Sequence, residues 1–250
     1  MQPMVVKSAT RKRFSAWNQQ QGFSDEASAA PRRILMTTDT VGGVWHYSLE
    51  LVRGLAKFGV EVALATMGPL PTAEQRRQVA RIHNITLFES SYRLEWMEDP
   101  WEDVEKCGAW LMNLEDELKP DLVHLNGYAH ADLPWNCPCM VVAHSCVLSW
   151  WEAVKKEPIP QRLGRYRERV AQGLARAHLV AAPTAAMLNA VETSYLPLPI
   201  PGLSTTDAAG KGTGQTTRSI SSSPWGGFGM RQKISTPSPS LPALSPGPCS

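Results

Sequence analysis

The apolar positions of this chain change rhythm twice within a short stretch. Ile34-Leu35-Met36 is a brief continuous apolar run, the pattern of a buried strand, and the polar Thr37-Thr38-Asp39-Thr40 after it predicts a turn. From Gly42-Gly43 onward, Val44, Tyr47, Leu51, Leu55 and Phe58 follow the 3.6-residue spacing of an amphipathic helix. Gly59 ends that helix, and residues 60–65 read as a second strand. Strand, glycine turn, helix and strand within about thirty residues make one βαβ unit, which requires parallel strands and a right-handed crossover.

The alternation continues. Thr72 caps a polar helix over residues 73–83, and residues 85–88 form a third strand. A loop carrying Trp96 leads to Trp101 and a helix over 102–118, with Val104, Trp110, Leu111, Leu114 and Leu118 toward one face and Lys119-Pro120 as its stop. Residues 121–126 and 140–145 are strands that both end in polar residues. A polar, helix-rich stretch over 149–175 precedes a sixth strand at 178–182, and Pro183-Thr184 begins a last helix that ends near Tyr195. Strands alternating with helices over about 160 residues predict a doubly wound α/β domain with a parallel sheet at residues 33–196.

Both flanks break the pattern. Residues 1–32 are basic and polar, without the apolar core of a signal peptide, and are expected to be disordered or a wrongly assigned start; a weak transit sequence is the alternative. Residues 197–250 contain 9 Pro, 8 Gly and 10 Ser, half of that stretch. Such a composition cannot offset its chain entropy by burial, so a disordered tail is expected.

Charge and cysteine content narrow the function classes. Residues 33–196 hold 16 Lys and Arg against 20 Asp and Glu, so the mildly acidic body gives no case for nucleic acid. Five cysteines are too few for a disulfide framework, and an odd number suits a reducing, cytoplasmic setting. No apolar run approaches the roughly eighteen residues that a membrane helix needs.

The candidate chemistry lies at the carboxyl ends of the strands, where open parallel sheets bind ligands. Gly42-Gly43 would let the backbone approach a phosphate, with the following helix offering free N–H groups and its positive end. The spacing is not G-x-G-x-x-G, which disfavours a dinucleotide; a tight turn alone is the alternative. His124 with Asn126, and His144 with Ser145, end two strands and are expected to share the rim with Gly42-Gly43. Histidine there can donate to a phosphate or sugar hydroxyl or act as acid or base, or can simply be bonded into the framework. Cys137-Pro138-Cys139 with His144 and Cys146 lacks the spacing of a zinc knuckle, so buried thiols are expected and no metal. Arg162, Arg165, Arg167 and Arg169 read as a solvated helix face, and Trp150-Trp151 as packing rather than a sugar-stacking platform.

The run TTDTVGGVWHYSLELVRGLAKFGVEVALAT resembles the opening of the family-4 retaining glycosyltransferases of the GT-B fold, the group that includes glycogen- and sucrose-synthase-like enzymes. KPDLVHLNGYAHA, VVAHSCVLSWW and AHLVAAPTAAMLNAV resemble that family's succeeding strands, in order. The likeness spans residues 33–196, the amino-terminal, acceptor-side domain. It implies two Rossmann-like domains facing a cleft, with a nucleotide-sugar donor held mainly by the second and a carbohydrate acceptor by the first. Gly42 and Gly43 would then approach the donor diphosphate, and His144 would lie near the transferred sugar as the catalytic candidate. His124, Asn126 and Ser145 would line the acceptor pocket. Transfer would retain the anomeric configuration and need neither metal nor cofactor.

The family's second domain should begin where the Pro/Gly/Ser sequence starts. Reading the codons of residues 203–208 and 224–234 from their third base permits Ile-Tyr-Asn-Gly-Arg and Val-Gly-Arg-Leu-Trp-Asp-Glu-Ala-Lys-Asn, which resemble the family's entry into that domain. A frameshift near residues 196–202 is therefore expected, leaving a fragment inactive alone. A stand-alone nucleotide- or sugar-binding module, or one subunit of a split transferase, are the alternatives.

Overall fold

The computed structural model describes residues 5–6 and 30–195. The expectations for the tail at 197–250, and for residues 1–4 and 7–29, lie outside the described residues. The described residues fall within one compact unit, Met1–Leu203.

In chain order the elements are β1 (Val5–Val6), β2 (Arg33–Asp39), α1 (Gly43–Ala56), β3 (Glu61–Met67), α2 (Ala73–Ala80), β4 (Ile85–Phe88), α3 (Trp101–Leu118), β5 (Leu122–Leu125), β6 (Cys139–Val142), α4 (Val147–Trp150), α5 (Gly164–Arg176), β7 (Leu179–Ala182) and α6 (Ala185–Tyr195). They build one sheet in the order β1-β7-β6-β5-β2-β3-β4. The six strands from β2 to β7 all run parallel to one another. The chain winds outward from β2 in one direction through β3 and β4, then returns to β5 and winds the other way. That is the doubly wound, Rossmann-like α/β arrangement, and its direction reverses between β2 and β5. β1 joins β7 antiparallel, Val5 opposite Ala182. Nothing in the hydrophobic pattern of residues 1–32 marks it, because an edge pairing of two residues needs only backbone groups.

Alternation along the strands sends side chains to two cores. Leu35, Val123, Leu125 and Val141 face a cluster with Leu111, Leu114 and Val170, while Ile34, Met36, Val62 and Leu64 face Trp45, Leu49 and Val52 of α1. Each fully buried Leu or Val contributes about 1.5–3 kcal/mol of transfer free energy.

Three elements depart from the sequence pattern. β2 continues through Thr37, Thr38 and Asp39 instead of turning there, since β-branched threonines suit a strand and their hydroxyls find partners. α1 buries Trp45, Ser48, Leu49 and Val52 rather than the row ending at Phe58, which is 69 % exposed. The row Tyr47, Leu51, Leu55 lies along the edge of the contact, one residue round the helix from its centre. The stretch 149–175 is not one helix: α4 passes into a π-helical turn, Trp151–Lys155, and Pro158 and Pro160 then separate it from α5.

The arginine row needs a partial correction. Arg162, Arg165 and Arg167 are exposed, with Arg165 stacked 4.8 Å over Trp101 and Arg162 5.3 Å over Trp151. Arg169 is instead half-buried, 3.6 Å from Asp132 and 3.5 Å from Glu105. The helix carrying it crosses the loop after β5 so closely that a Cβ on Gly173 would stand 2.0 Å from the Tyr128 carbonyl oxygen.

That contact yields a prediction. Backbone cannot rotate away as a side chain can, so Gly173→Ala should destabilise the protein by at least about 2 kcal/mol. Gly54→Ala, in α1 with open space around it, should be neutral or stabilise by up to about 1 kcal/mol. Urea unfolding of both variants checks the pair; a Gly173→Ala protein as stable as the parent would contradict the packing.

Candidate functional site

At the carboxyl end of the sheet β2 and β5 part. Their register runs from Ile34 opposite Leu122 to Met36 opposite His124 and stops, while β2 stays paired with β3 as far as Asp39 opposite Met67. The Arg33 carbonyl accepts from the Asp121 N–H, so by alternation the backbone groups of Thr37 also face β5. The ladder ends before a strand N–H reaches the Thr37 carbonyl.

Asn126, the first residue beyond β5, fills the gap. Its backbone N–H donates to Thr37 Oγ1 (3.1 Å), and its Nδ2 donates to the Thr37 carbonyl (2.8 Å) and to Ser48 Oγ of α1 (3.2 Å). Its Oδ1 lies 2.8 Å from His144 Nε2 and 3.2 Å from His124 Nε2. Ser48 in turn donates to Thr38 Oγ1 (3.0 Å). His124, Asn126 and His144 are thus brought together by direct hydrogen bonds. His124 sits inside β5 rather than at its end and is 3 % exposed, whereas His144 lies two residues beyond β6 and is half-buried. Ser145 is exposed, and its carbonyl accepts from Tyr128 Oη.

Tyr47 closes the site from the side of α1. Its ring meets His144 edge-on, centroids 4.5 Å apart, and His124 at 6.2 Å. The turn leading into α1 is pinned on three sides. Val41 N–H donates to Asp39 Oδ1 (2.9 Å), Thr40 Oγ1 to the Pro69 carbonyl, and Gln75 Nε2 to the Thr40 carbonyl (3.0 Å). Gly42 precedes the first helical residue with φ 85° and ψ −145°, a conformation that a side chain would strain. Gly43 begins the helix, and a Cβ there would meet nothing within 4 Å. The first turn carries no acidic residue and no side-chain cap, so backbone N–H groups open onto space at the same end of the sheet.

Burial sets the charge state. Desolvation lowers both His124 and His144 to about 4, so both imidazoles are neutral at physiological pH. It raises Asp39 to about 6 against its Val41 hydrogen bond, and Tyr47 to about 12. On the far side, the half-buried Glu95 carboxylate accepts from the N–H groups of Tyr128 (3.1 Å) and Ala129 (2.6 Å), fixing the loop that follows Asn126; burial raises its pKa as well.

The polar turn at 37–40 and the amphipathic row had hidden Asp39, Tyr47, Thr37 and Ser48. One signal was legible: a serine on the helix stripe Trp45, Leu49, Val52 has to hydrogen-bond something buried. The cysteine thiols take no part in the hydrogen-bonded group around Asn126. Cys107, Cys137, Cys139 and Cys146 are buried free thiols, Cys137 raised by desolvation to about 12. Among the described residues no group of three or more His, Cys, Asp or Glu is placed to hold a metal. No helix among them is long and apolar enough to cross a membrane.

Asp39 gives a prediction whose sign follows from linkage. Its pKa is higher folded (about 6) than the ordinary 3.8, so the folded state binds the proton more tightly and ionisation costs stability as pH rises between those values. Asp39→Asn keeps an acceptor for the Val41 N–H without the charge. The melting temperature should therefore rise at about pH 8, and the gain should vanish below about pH 4. A gain that persists in acid, or none at pH 8, would contradict the assignment.

Comparison with known proteins gives one family and a set of structures. No curated protein matches the chain. Solved structures similar to it include the glycotransferase of kitacinnamycin, at 19 % identity over 59 % of this chain and 38 % of that one, TM-score 0.35. UGT73P12 of Glycyrrhiza uralensis, complexed with glycyrrhetinic acid 3-O-monoglucuronide, matches at 9 % over 59 % and 42 %, TM-score 0.38. The N,N'-diacetylchitobiose deacetylase of Pyrococcus horikoshii matches at 15 % over 48 % and 50 %, TM-score 0.30. The chain spans half or less of the length of each. The family model described as Glycosyltransferase Family 4 matches residues 41–198, well over half of the sequence and all of the site from Val41 to Ser145, and the chain belongs to that family.

Proposed function

We propose that residues 33–196 are the acceptor-side half of a retaining, GT-B glycosyltransferase that moves a sugar from a nucleotide-sugar donor to a carbohydrate acceptor. The observation that carries the reading is the hydrogen-bonded group Asn126–His144–His124 at the point where the strand order reverses, in a family-4 chain. Open α/β sheets bind at that point. The groups gathered there are neutral amide, imidazole and hydroxyl, which suit the hydroxyls of a sugar better than an anion.

The donor's diphosphate would be met by the N–H groups at Gly42 and Gly43, and its remaining charge by a second domain outside these residues. Charge on the leaving diphosphate would be balanced by N–H and basic groups rather than a metal. His144 would lie beside the transferred sugar, with Asn126, His124 and Ser145 on the acceptor side. The buried free thiols support a reducing, cytoplasmic setting.

One wall of a cleft orients a donor poorly. Contacts worth about 0.5–1.5 kcal/mol net each do not hold a solvated diphosphate, so the 250-residue chain should bind nucleotide sugars no better than about millimolar and show no transfer. The test is transfer from a panel of radiolabelled nucleotide sugars by this chain and by one extended in the shifted frame. The extended protein should turn over, and His144→Ala in it should cost at least about tenfold, about 1.4 kcal/mol. Turnover by the short chain at a rate near that of the long one would overturn the half-site reading and favour a complete, single-domain catalyst.

A further inference from the structure

We propose that Asn126 is a positioning residue that fixes the tautomers of both site histidines, holding each with its proton on Nε2 and its Nδ1 bare. The proposal rests on the acceptor-side reading only for what that bare nitrogen would meet; the tautomers follow from hydrogen-bond chemistry.

An asparagine carboxamide can point either way, and here the Thr37 carbonyl decides. That oxygen only accepts, so the group 2.8 Å from it must be the amide NH2. A flipped amide would set two acceptor oxygens against each other. With Nδ2 committed to Thr37 and Ser48, Oδ1 faces the two imidazoles and can only accept from them. Each Nε2 must therefore carry a hydrogen. One amide oxygen has two lone pairs and here has two donors, so all four hydrogen-bonding positions of the side chain are used.

A neutral imidazole with Nε2–H has an unprotonated Nδ1. His144 thus offers a partner a hydrogen-bond acceptor and no positive charge, which favours a hydroxyl donor over an anionic oxygen. The titratable groups that face it are His124 from β5 and Tyr47 from α1, both uncharged at neutral pH. Asn126 is joined to the framework as well. The chain of donors from its Nδ2 through Ser48 Oγ and Thr38 Oγ1 ends on the Asp39 carbonyl, so β2, α1 and β5 all bear on its orientation.

The experiment is nitrogen-15 NMR of histidine-labelled protein, with signals assigned by single His→Gln changes. His124 and His144 should show protonated Nε2 and bare Nδ1, unchanged from about pH 8 to pH 5, with the imidazolium forming only in stronger acid. Asn126→Asp puts a carboxylate oxygen at the same two nitrogens and should lift the His144 midpoint from about 4 to above 6.5. Asn126→Leu should leave the His144 ring populating both tautomers. A parent protein with Nδ1–H at His144, or an Asn126→Asp titration identical to the parent's, would overturn the assignment. If the leucine variant fails to fold, the aspartate variant and the parent spectrum still decide. Because the readout is a nitrogen shift, absent sugar transfer by the extended protein would refute the transferase reading and leave this one standing.

Discussion

Thr37 is the point on which the site depends. A parallel sheet that reverses its winding must let two neighbouring strands diverge, and divergence strands backbone groups that cost about 1–3 kcal/mol each if left unpaired. Here the stranded carbonyl is answered by the side chain of Asn126 rather than by another strand. That one substitution of amide for ladder joins β2 to β5, draws Ser48 of α1 into the same network, and aims an oxygen at His124 and His144. Geometry at the switch point and the protonation of the histidines are therefore consequences of a single hydrogen bond.

The rim differs from the opposite end of the sheet in where its polar groups converge. A cavity of about 340 Å³ lies there, lined by residues including Asp132, Trp135, Arg176 and His178. It sits at the amino ends of β6 and β7, away from the switch point; there His178 Nδ1 accepts from the Cys139 N–H and Asp132 lies against Arg169, while Asp132 Oδ1 is buried with no hydrogen-bond partner among the described residues. At the carboxyl rim the His144 ring is bonded through Nε2 and bare at Nδ1, and the space beside Gly43 is open. The reversal of strand order, where His124, Asn126 and His144 converge, favours the rim.

The six parallel strands and the βαβ opening were legible in the sequence because burial on both faces of a parallel sheet leaves short apolar runs that few alternatives produce. The histidines were legible as a pair for the same reason, each standing at or near the polar end of such a run. What could not be read was who bonds whom. The role of Asn126 depends on where β5 leaves β2, a tertiary register that no local pattern encodes. Two rows of the helix, Val44, Tyr47, Leu51 and Leu55 and, one residue round, Trp45, Leu49 and Val52, keep a helical spacing equally well; only contact with the sheet decides that the second is buried. Thr37 and Thr38 looked like a turn because threonine is polar, although its β-branching had favoured the strand.

The central claim is that ligand meets this domain at the rim between β2, β5 and β6. Amide nitrogen–proton shift mapping of the chain titrated with nucleotide sugars and simple glycosides tests it most directly, since the method registers even millimolar binding. The account predicts shifts confined to residues 39–48, 126–129 and 143–146. Shifts centred instead on residues 131–135 and 176–178, at the amino ends of the strands, would contradict it.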